Sequence, residues 1–182
     1  MIHHLAPNGK IGLVLANGAL STQSSGEGEI RKRIIEDDLI EGIVAMPTQL
    51  FYSVTIPVTL WLITKNKKQK GKTLFIDARK MGFMVDRKHR DLSDEDIAKL
   101  ADTFTAFQNG ELKEVNGFCA VATTEEIAKQ DYILTPGRYV GIEEQEDDGE
   151  PFDEKMKRLT SELSKMFAKS HEFENEIREK LG

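Results

Sequence analysis

The chain has 182 residues, of which 31% are charged, and a formal net charge of -6. Its single cysteine, Cys119, excludes a disulfide framework and a thiolate zinc site, which favours the reducing cytoplasm. No apolar run approaches the roughly 20 residues that span a bilayer, and the first residues do not have the pattern of a signal peptide, so we expect a protein that is neither exported nor bound to a membrane.

Charge is distributed unevenly along the chain. Residues 1–90 hold 14 lysines and arginines against 8 acids, whereas residues 91–182 hold 11 against 23. A basic half beside an acidic half is typical of a chain whose first half faces a polyanion. Ordinary solvated faces are the alternative explanation.

Two short apolar runs with a helical pattern between them open the chain. KIGLVLANG (10–18) predicts a central strand that is buried on both faces and ends in a turn. EIRKRIIEDDLI (29–40) predicts a helix of about three turns, with Ser24 and Ser25 as capping residues. EGIVAMP (41–47) predicts a second strand, and the order strand, helix, strand indicates a right-handed crossover in a parallel sheet.

Two further strands are predicted after this crossover. VTLWLI (58–63) follows a link of about ten residues without a helical pattern, and so short a link favours an antiparallel neighbour. KTLFIDA (72–78) is predicted as one more edge strand. The fold class is therefore α/β, with a parallel sheet that receives one antiparallel strand.

Helices and extended segments follow the strands, and they predict a satellite region over residues 79–142. LSDEDIAKLADTFTAF begins with the capping pair Ser93 and Asp96 and places apolar residues at helical spacing. TTEEIAKQ repeats this capping pattern with Thr123 and Glu126 and predicts a short helix. LTPGRYVG predicts an extended stretch with a Pro-Gly turn.

The last part of the chain predicts a long amphipathic helix behind an acidic linker. The linker, residues 143–151, begins with six acids in eight residues. Residues 152–182 then predict a coiled-coil seam of about three heptads, around 45 Å long, with one polar interruption at Ser170. The apolar seam positions are Met156, Leu159, Leu163, Met166, Phe173 and Ile177. A separate protein partner is one possible cover for this seam, and the chain's own domain is the other.

The sequence has no self-contained active site. It contains no glycine-rich phosphate loop and no serine-centred elbow. The four histidines, His3, His4, His89 and His171, form no metal-ligand pattern. Adjacent acids such as Asp37 and Asp38 point in different directions on a helix and make poor acid/base pairs.

Four blocks of sequence nevertheless form a recognisable series. They are HHLAPNGKIGLVLANGALS, SGEGEIRKRIIEDDLIEGIVAMPTQLFYSVTIPVTLWLITKNK, GKTLFIDARKMGFMVDRKHRDLSDEDIAKLADT and YILTPGRYVG. In this order they resemble the C-terminal part of the methyltransferase subunit of type I DNA restriction-modification systems. The resemblance implies the C-terminal portion of a Rossmann-like class I methyltransferase sheet over residues 1–78, strands five to seven with the last one antiparallel, and a helical extension behind it.

The resemblance implies methyl transfer from S-adenosylmethionine to the N6 amine of adenine in DNA by the full-length subunit. The family binds the cofactor with a glycine-bearing loop and the target amine with an Asn-Pro-Pro-aromatic motif, and both are absent here. The prolines, which are never adjacent, are Pro7, Pro47, Pro57, Pro136 and Pro151. We therefore expect a fragment that is inactive alone and binds no S-adenosylmethionine.

An aromatic pair, Phe51 and Tyr52, precedes the predicted antiparallel strand. An enzyme that modifies a base of a duplex extrudes it from the stack, and aromatic contacts partly restore the lost stacking. The resemblance implies that Phe51 stacks on the extruded adenine, with Tyr52 as the adjacent candidate. Pro47 and Pro57 would stiffen the loop that carries them. The alternative is that Phe51 packs on the core beneath the loop.

Two basic clusters are candidates for contact with the DNA backbone, which is sequence-independent and salt-sensitive. They are Lys65, Lys67, Lys68 and Lys70 behind the third predicted strand, and Arg87, Lys88 and Arg90 further along the chain. A solvated surface is the alternative for both.

The resemblance also implies partners. These are DNA, a specificity subunit that binds the helix over residues 152–182, and a restriction subunit. The rival hypothesis is a non-enzymatic adapter or dimerisation module, because residues 11–15 would present a bare sheet edge that a second copy could cover, and the C-terminal helix offers a second route to a homodimer. A DNA-binding domain in its own right is disfavoured by the net charge of -6 and by the lack of a helix-turn-helix or zinc signature.

Overall fold

A computed structural model of the chain describes residues 1–52, 55–142 and 152–181. The chain divides into a sheet unit within residues 1–144 and a helical unit within residues 145–182. The predicted acidic linker, residues 143–151, lies outside the described residues. The predicted division of the sheet unit at residue 78 stays a prediction.

The sheet unit contains a five-stranded sheet and a separate two-stranded hairpin. The strands are β1 (Lys10–Ala16), β2 (Ile40–Ala45), β3 (Val58–Thr64), β4 (Lys72–Asp77), β5 (Phe83–Met84), β6 (Arg90–Asp91) and β7 (Cys119–Thr123). The order in the main sheet is β1-β3-β2-β4-β7, and β5 pairs with β6 in the hairpin.

β3 lies between β1 and β2 and runs antiparallel to both. Trp61 at its centre stands opposite Leu13 of β1 and Ile43 of β2. The predicted antiparallel strand is therefore present, and the alternation of buried and half-buried side chains along β3 fits a strand with neighbours on both sides. Since β1 and β2 share one direction, the predicted strand-helix-strand unit joins two parallel strands with β3 inserted between them.

The expected positions of two strands are wrong. β1 is not a central strand, because among the described residues it pairs with β3 alone and its alternate side chains are exposed. It is the bare edge that the adapter hypothesis requires. β4 is not an edge strand, because it lies between β2, its parallel neighbour, and β7, its antiparallel neighbour. β7 was not expected as a strand, and it brings a part of the predicted satellite region into the main sheet.

The core occupies both faces of the sheet. Ile43 and Phe75 belong to one buried cluster, which also includes residues of the helices α1 (Glu27–Glu36) and α3 (Thr124–Lys129). Val44 and Leu74, their neighbours along β2 and β4, belong to the opposite cluster with Phe107 of α2 (Asp94–Asn109). Helices on both faces of a mixed sheet confirm the α/β class. The sheet holds two antiparallel strands, β3 and β7, where one was expected, and β2 and β4 are its parallel neighbours.

The predicted caps of α2 and α3 are confirmed. Ser93 Oγ accepts a hydrogen bond from Asp96 N at 3.1 Å, and Asp96 Oδ2 accepts one from Ser93 N at 3.1 Å. Thr123 and Glu126 form the same reciprocal pair at the start of α3. Each pair satisfies two backbone donors that the first turn of a helix leaves without partners.

The predicted cap of α1 is wrong. The residue before this helix is Gly26, whose φ of 79° is left-handed and whose position has no side-chain cap. Ser24 and Ser25 lie in a short 3-10 turn just upstream. Glycine is the residue that adopts this backbone conformation at little cost, so the turn geometry and not a hydroxyl sets the start of α1.

The helical unit is α4 (Phe152–Leu181), which confirms the predicted long helix. Its six apolar seam positions are all exposed, with between 46% and 66% of each residue accessible. Pairs one turn apart, such as Arg178 and Glu174 at 2.7 Å, support the polar surface. No helix in the described ranges is long and apolar enough to cross a membrane.

Candidate nucleic-acid interface

The aromatic loop, defined here as residues 46–57 of which 53 and 54 are not described, connects β2 to β3. It lies at the carboxyl edge of the sheet, where the parallel strands β2 and β4 both end. β1 ends at the same edge, and Asn17 N donates a hydrogen bond to Pro57 O at 3.3 Å. Ligand sites of open α/β sheets form outside this edge.

The loop carries its two aromatic side chains at the surface. Phe51 is 48% exposed and Tyr52 is 80% exposed. Gln49 turns the backbone with a φ of 66°, a left-handed conformation that non-glycine residues seldom adopt. The half-exposed Phe51 is not a buried core residue, and its predicted stacking on a base stays a prediction.

The hairpin, defined here as residues 83–91, projects at the same edge because it follows the carboxyl end of β4. Its turn is closed by a hydrogen bond from Val85 N to His89 O at 2.9 Å. Asp86 Oδ1 accepts hydrogen bonds from Lys88 N at 2.6 Å and from His89 N at 2.8 Å. These backbone donors lower the pKa of Asp86, so the carboxylate that orders the turn stays ionised near neutral pH.

Among the described residues, two contacts join the hairpin to the aromatic loop. Arg90 N donates a hydrogen bond to Gln49 O at 2.8 Å. The rings of Tyr52 and His89 are stacked, with 4.1 Å between their centroids and 9° between their planes. This contact of His89 was not predictable from the sequence, since the two rings are far apart in the chain and meet only through the fold.

The basic cluster of the hairpin divides into two kinds of residue. Arg87 and Lys88 are exposed in the turn, close in sequence to the stacked His89. Arg90 is partly buried, and its Nη1 donates hydrogen bonds to Met81 O at 3.0 Å and to Gly82 O at 3.3 Å. The guanidinium of Arg90 therefore holds the base of the hairpin, whereas Arg87 and Lys88 have the exposure that a phosphate contact needs.

The lysine cluster lies at the other end of the strands from the aromatic loop. β3 begins next to the aromatic loop and ends at Thr64, directly before Lys65. Seven residues of strand separate the two ends by about 20 Å. Lys65 Nζ donates a hydrogen bond to Leu5 O at 2.7 Å, and the side chains of Lys68 and Lys70 are exposed.

Lys67 does not have the geometry that its predicted phosphate contact requires. Its side chain is 2% exposed, and Nζ lies 2.5 Å from Asp38 Oδ1. Both oxygens of Asp38 also accept a hydrogen bond from Gly71 N at 3.1 Å. A buried and paired ammonium is not available to an outside anion, so this lysine stabilises the loop that carries its neighbours.

A polar cavity of about 490 Å³ lies beside the hairpin and includes Lys80, Lys99 and Phe118 in its lining. Its carboxylates are already engaged. Burial by itself would raise the pKa of Asp77, but hydrogen bonds from the side chain and backbone of Arg79 outweigh this effect and lower it. Asp96 belongs to the capping pair of α2.

An apolar cavity of about 530 Å³ lies between the sheet and α1, lined chiefly by side chains such as Leu13, Ile34 and Trp61. Ribose hydroxyls of nucleotide cofactors such as S-adenosylmethionine are commonly bound by a carboxylate. The lining of the apolar cavity is largely hydrocarbon and includes one carboxylate, Glu27, whereas the carboxylates of the polar cavity are engaged. Within the described part of the chain, no group of three or more His, Cys, Asp or Glu side chains could hold a metal ion.

Comparison with known proteins identifies relatives over the whole chain. The family model of the N-6 DNA methylases matches residues 1–148. The type I restriction enzyme HindI methylase subunit of Haemophilus influenzae is 56% identical over 183 residues, which cover 100% of this chain and 41% of that protein. The MjaIX methylase subunit of Methanocaldococcus jannaschii is 50% identical over 185 residues, which cover 99% of this chain and 33% of that protein.

Solved structures agree with this match. The methyltransferase subunit of a type I restriction-modification system from Streptococcus thermophilus superimposes with a TM-score of 0.69 and 29% identity, over 78% of this chain and 28% of that one. The chain thus spans well under half the length of these relatives, and the resemblance drawn from the four sequence blocks is confirmed. The chain therefore belongs to the N-6 DNA methylase family and corresponds to a part of the methylase subunit of type I restriction enzymes.

Proposed function

We propose that the aromatic loop and the hairpin together form the target-base side of an N6-adenine DNA methyltransferase, within a protein longer than this chain. The observation that carries the proposal is the exposure of Tyr52 and Phe51 at the carboxyl edge of the sheet, beside the exposed cations Arg87 and Lys88. Exposed rings next to cations suit a nucleic acid, because bases stack on rings and phosphates pair with cations.

The strand arrangement supports a finer assignment. We infer that β1, β2 and β3 correspond to strands five, six and seven of a class I methyltransferase sheet. The support is that β3 alone runs against its two neighbours while β1 and β2 run parallel. Under this assignment the aromatic loop, which presents the rings of Phe51 and Tyr52, is the loop between strands six and seven. Strands one to four of the class I sheet would belong to the part of the protein outside this chain.

Base stacking on the aromatic loop is strong enough to offset much of the free energy that base extrusion costs. Stacking on an aromatic side chain contributes about 1–3 kcal/mol per base, which offsets much of the few kcal/mol lost when a base leaves the duplex. Phe51 and Tyr52 are adjacent, so we propose that one ring contacts the extruded adenine while the other supports the loop.

The two basic clusters would act on different stretches of DNA. Arg87 and Lys88 would contact phosphates beside the extruded base. The exposed lysines Lys65, Lys68 and Lys70 lie about 20 Å away, which corresponds to about six base pairs of duplex. Both clusters therefore contact one duplex only if its axis runs along the direction of β3.

The methyl donor would be S-adenosylmethionine, bound by the part of the longer protein that carries the cofactor motifs absent here. We propose that the 182-residue chain alone neither binds the donor nor transfers a methyl group. Isothermal calorimetry of the chain with S-adenosylmethionine should give only heats of dilution. Micromolar binding would contradict this assignment without affecting the role of the aromatic loop.

The exposed seam of α4 supports a protein partner. Six exposed apolar side chains on one stripe of α4 are unfavourable in water, and a second helix that packs between them would remove this surface from water. We propose that the partner is the specificity subunit of a type I system, with the restriction subunit and DNA in the complete assembly. The proposed location is the cytoplasm.

Alanine substitutions in the longer methylase subunit, assembled with its partners, test the central proposal. Of Phe51→Ala and Tyr52→Ala, the variant that lacks the stacking ring should slow single-turnover methylation by about 5- to 150-fold, from the loss of about 1–3 kcal/mol of stacking. The other variant should slow it less, and donor affinity should be kept in both. Phe167→Ala, which removes an exposed ring of α4 outside the six seam positions, is the matched control. Wild-type rates in both loop variants would refute the proposal.

One observation favours a second candidate function, an adapter or homodimer without catalysis. The exposed edge of β1, with Val14 half exposed, has backbone donors and acceptors that a second copy could pair. Light scattering separates the two cases. A dimer that persists after deletion of residues 152–182 supports edge pairing, and a monomer at all concentrations counts against it.

A further inference from the structure

Tyr52 combines high exposure with a fixed orientation. The residue is 80% exposed, yet its ring lies parallel to the imidazole of His89 at 4.1 Å. An exposed tyrosine normally samples several rotamers on a fast timescale. Here one ring face rests on the imidazole, and this contact selects one orientation of the ring at the surface.

His89 can select this orientation because its own backbone is held on both sides. His89 N donates to Asp86 Oδ1 at 2.8 Å, and His89 O accepts from Val85 N at 2.9 Å. The next residue, Arg90, donates its N–H to Gln49 O in the aromatic loop. The main chain of residue 89 is therefore held relative to the loop backbone that carries Tyr52, and its imidazole lies against the tyrosine ring.

The base of the hairpin is anchored as firmly as its turn. Gly82 N donates to Asp96 Oδ2 at 3.2 Å, so the carboxylate that caps α2 also holds the start of the hairpin. Gly82 has a φ of 81°, and a Cβ there would lie 2.5 Å from Asp91 O. Only glycine fits both this conformation and this approach, and the hairpin is thereby tied to a packed helix.

We propose that His89 is a positioning residue of the DNA methyltransferase, whose imidazole holds Tyr52 in the orientation that meets the extruded adenine. The proposal rests on the proposed role of the aromatic loop and goes beyond it, since it assigns a function to a residue outside that loop. His89 contacts Tyr52 and not the base, so its effect passes through the tyrosine ring. Orientation before binding lowers the conformational entropy that the extruded base must otherwise offset.

The test compares two substitutions of His89 in the longer methylase subunit, assembled with its partners. His89→Ala removes the ring beneath Tyr52, whereas His89→Phe keeps an aromatic ring that can stack. His4→Ala removes an exposed histidine of the sheet unit, outside the aromatic loop and the hairpin, and is the matched control. The hydrogen bonds that order the hairpin turn use the main chain of residue 89, so neither substitution removes them.

The main measurement is extrusion of the target base. A duplex with 2-aminopurine at the target adenine becomes more fluorescent when the base leaves the stack. His89→Ala should lower the extrusion equilibrium constant by about 2- to 10-fold, the range expected for loss of one aromatic pair, and His89→Phe should stay within about twofold of wild type. Donor affinity should be unchanged in all variants.

A second measurement uses the 182-residue chain and needs neither DNA nor donor. Nuclear Overhauser contacts between the ring protons of Tyr52 and those of residue 89 should be present in the wild type and in His89→Phe. Equal extrusion by wild type and His89→Ala overturns the proposal, and so does a His89→Phe variant as impaired as His89→Ala. If Tyr52→Ala and Phe51→Ala also behave as wild type, the proposed function of the loop fails, which is a separate result.

Discussion

The rings of Phe75 and Tyr139 lie parallel, with 3.9 Å between their centroids and 10° between their planes. Phe75 is fully buried at the centre of β4, and Tyr139 belongs to the last described segment of the sheet unit. Tyr139 Oη donates a hydrogen bond to Ile133 O at 2.6 Å. This stack ties the segment after α3 to the middle of the sheet.

The stack predicts that stability decreases at high pH. Burial raises the pKa of Tyr139 to about 12, above the value of about 10 for an unfolded tyrosine. The contribution of the protonated phenol is complete below pH 10 and is lost as the pH rises through about 12, because the unfolded chain loses this proton first.

Tyr139→Phe measures this contribution. The difference in unfolding free energy between wild type and variant should be constant from pH 7 to about 9 and should change by on the order of 1–2 kcal/mol, in favour of the variant, between about pH 10 and 12. Urea unfolding at each pH is the measurement. A difference that stays constant to pH 12 would show that the phenol ionises equally in both states.

Substitution of Lys67 should lower the stability of the sheet unit, whereas substitution of its neighbour Lys68 should hardly change it. Lys67→Met leaves the carboxylate of Asp38, which is 28% exposed, without its cation and should destabilise the sheet unit by about 2 kcal/mol. Lys68→Met removes an exposed charge and should change stability by less than about 0.5 kcal/mol. Urea unfolding of both variants checks this, and equal stabilities would mean that the buried pair contributes nothing.

The hairpin cations should determine part of the salt dependence of DNA binding. In the assembled longer protein, Arg87→Gln and Lys88→Gln should each reduce the slope of log K against log salt concentration by about 0.9, because each phosphate contact releases condensed counterions. Lys67→Met should leave the slope unchanged, since that ammonium is buried. Fluorescence anisotropy over a series of salt concentrations gives the slopes, and unaltered slopes in both hairpin variants would exclude these phosphate contacts.

A single charge placed in the apolar seam of α4 should strongly weaken binding of the proposed partner. Leu163→Asp places a carboxylate in the middle of the apolar stripe and should abolish co-purification with the specificity subunit of the same system, because the charge would lose its water in the interface. Ser161→Asp adds the same charge outside the seam and should have little effect. Retained binding by Leu163→Asp would place the partner on another surface.

Local signals in the sequence were sufficient for the helices. The capping pair of Ser93 and Asp96 is three residues apart, so the pattern and the hydrogen bonds that it predicts belong to one turn. The same capping pattern failed at Ser24 and Ser25. Gly26 is the residue directly before α1, and the two serines lie in the turn upstream of it, where their hydroxyls do not cap the helix. The antiparallel β3 was also predictable, since a short link limits where the next strand can lie.

Longer-range features could not be obtained from the sequence alone. An apolar run predicts a strand but does not say how many neighbours it has, so β1 was expected at the centre and lies at an edge. Five residues before Thr124 were too short a run to indicate β7. The positions of Lys67 and His89 depend on Asp38 and Tyr52, which approach them only in the folded chain.

The length of β3 also sets the distance between the aromatic loop and the lysine cluster, which lie at its two ends. β3 is hydrogen-bonded to a strand on each side, so it cannot slide by a fraction of a residue. A slip of one full residue would turn Trp61 and Ile63 from the face on which they are buried to the face on which the side chains of β3 are only half-buried. The register of β3 in the sheet therefore sets the distance between the aromatic loop and the lysine cluster. Changes in loop sequence can alter what each of these surfaces binds, but they do not alter this distance.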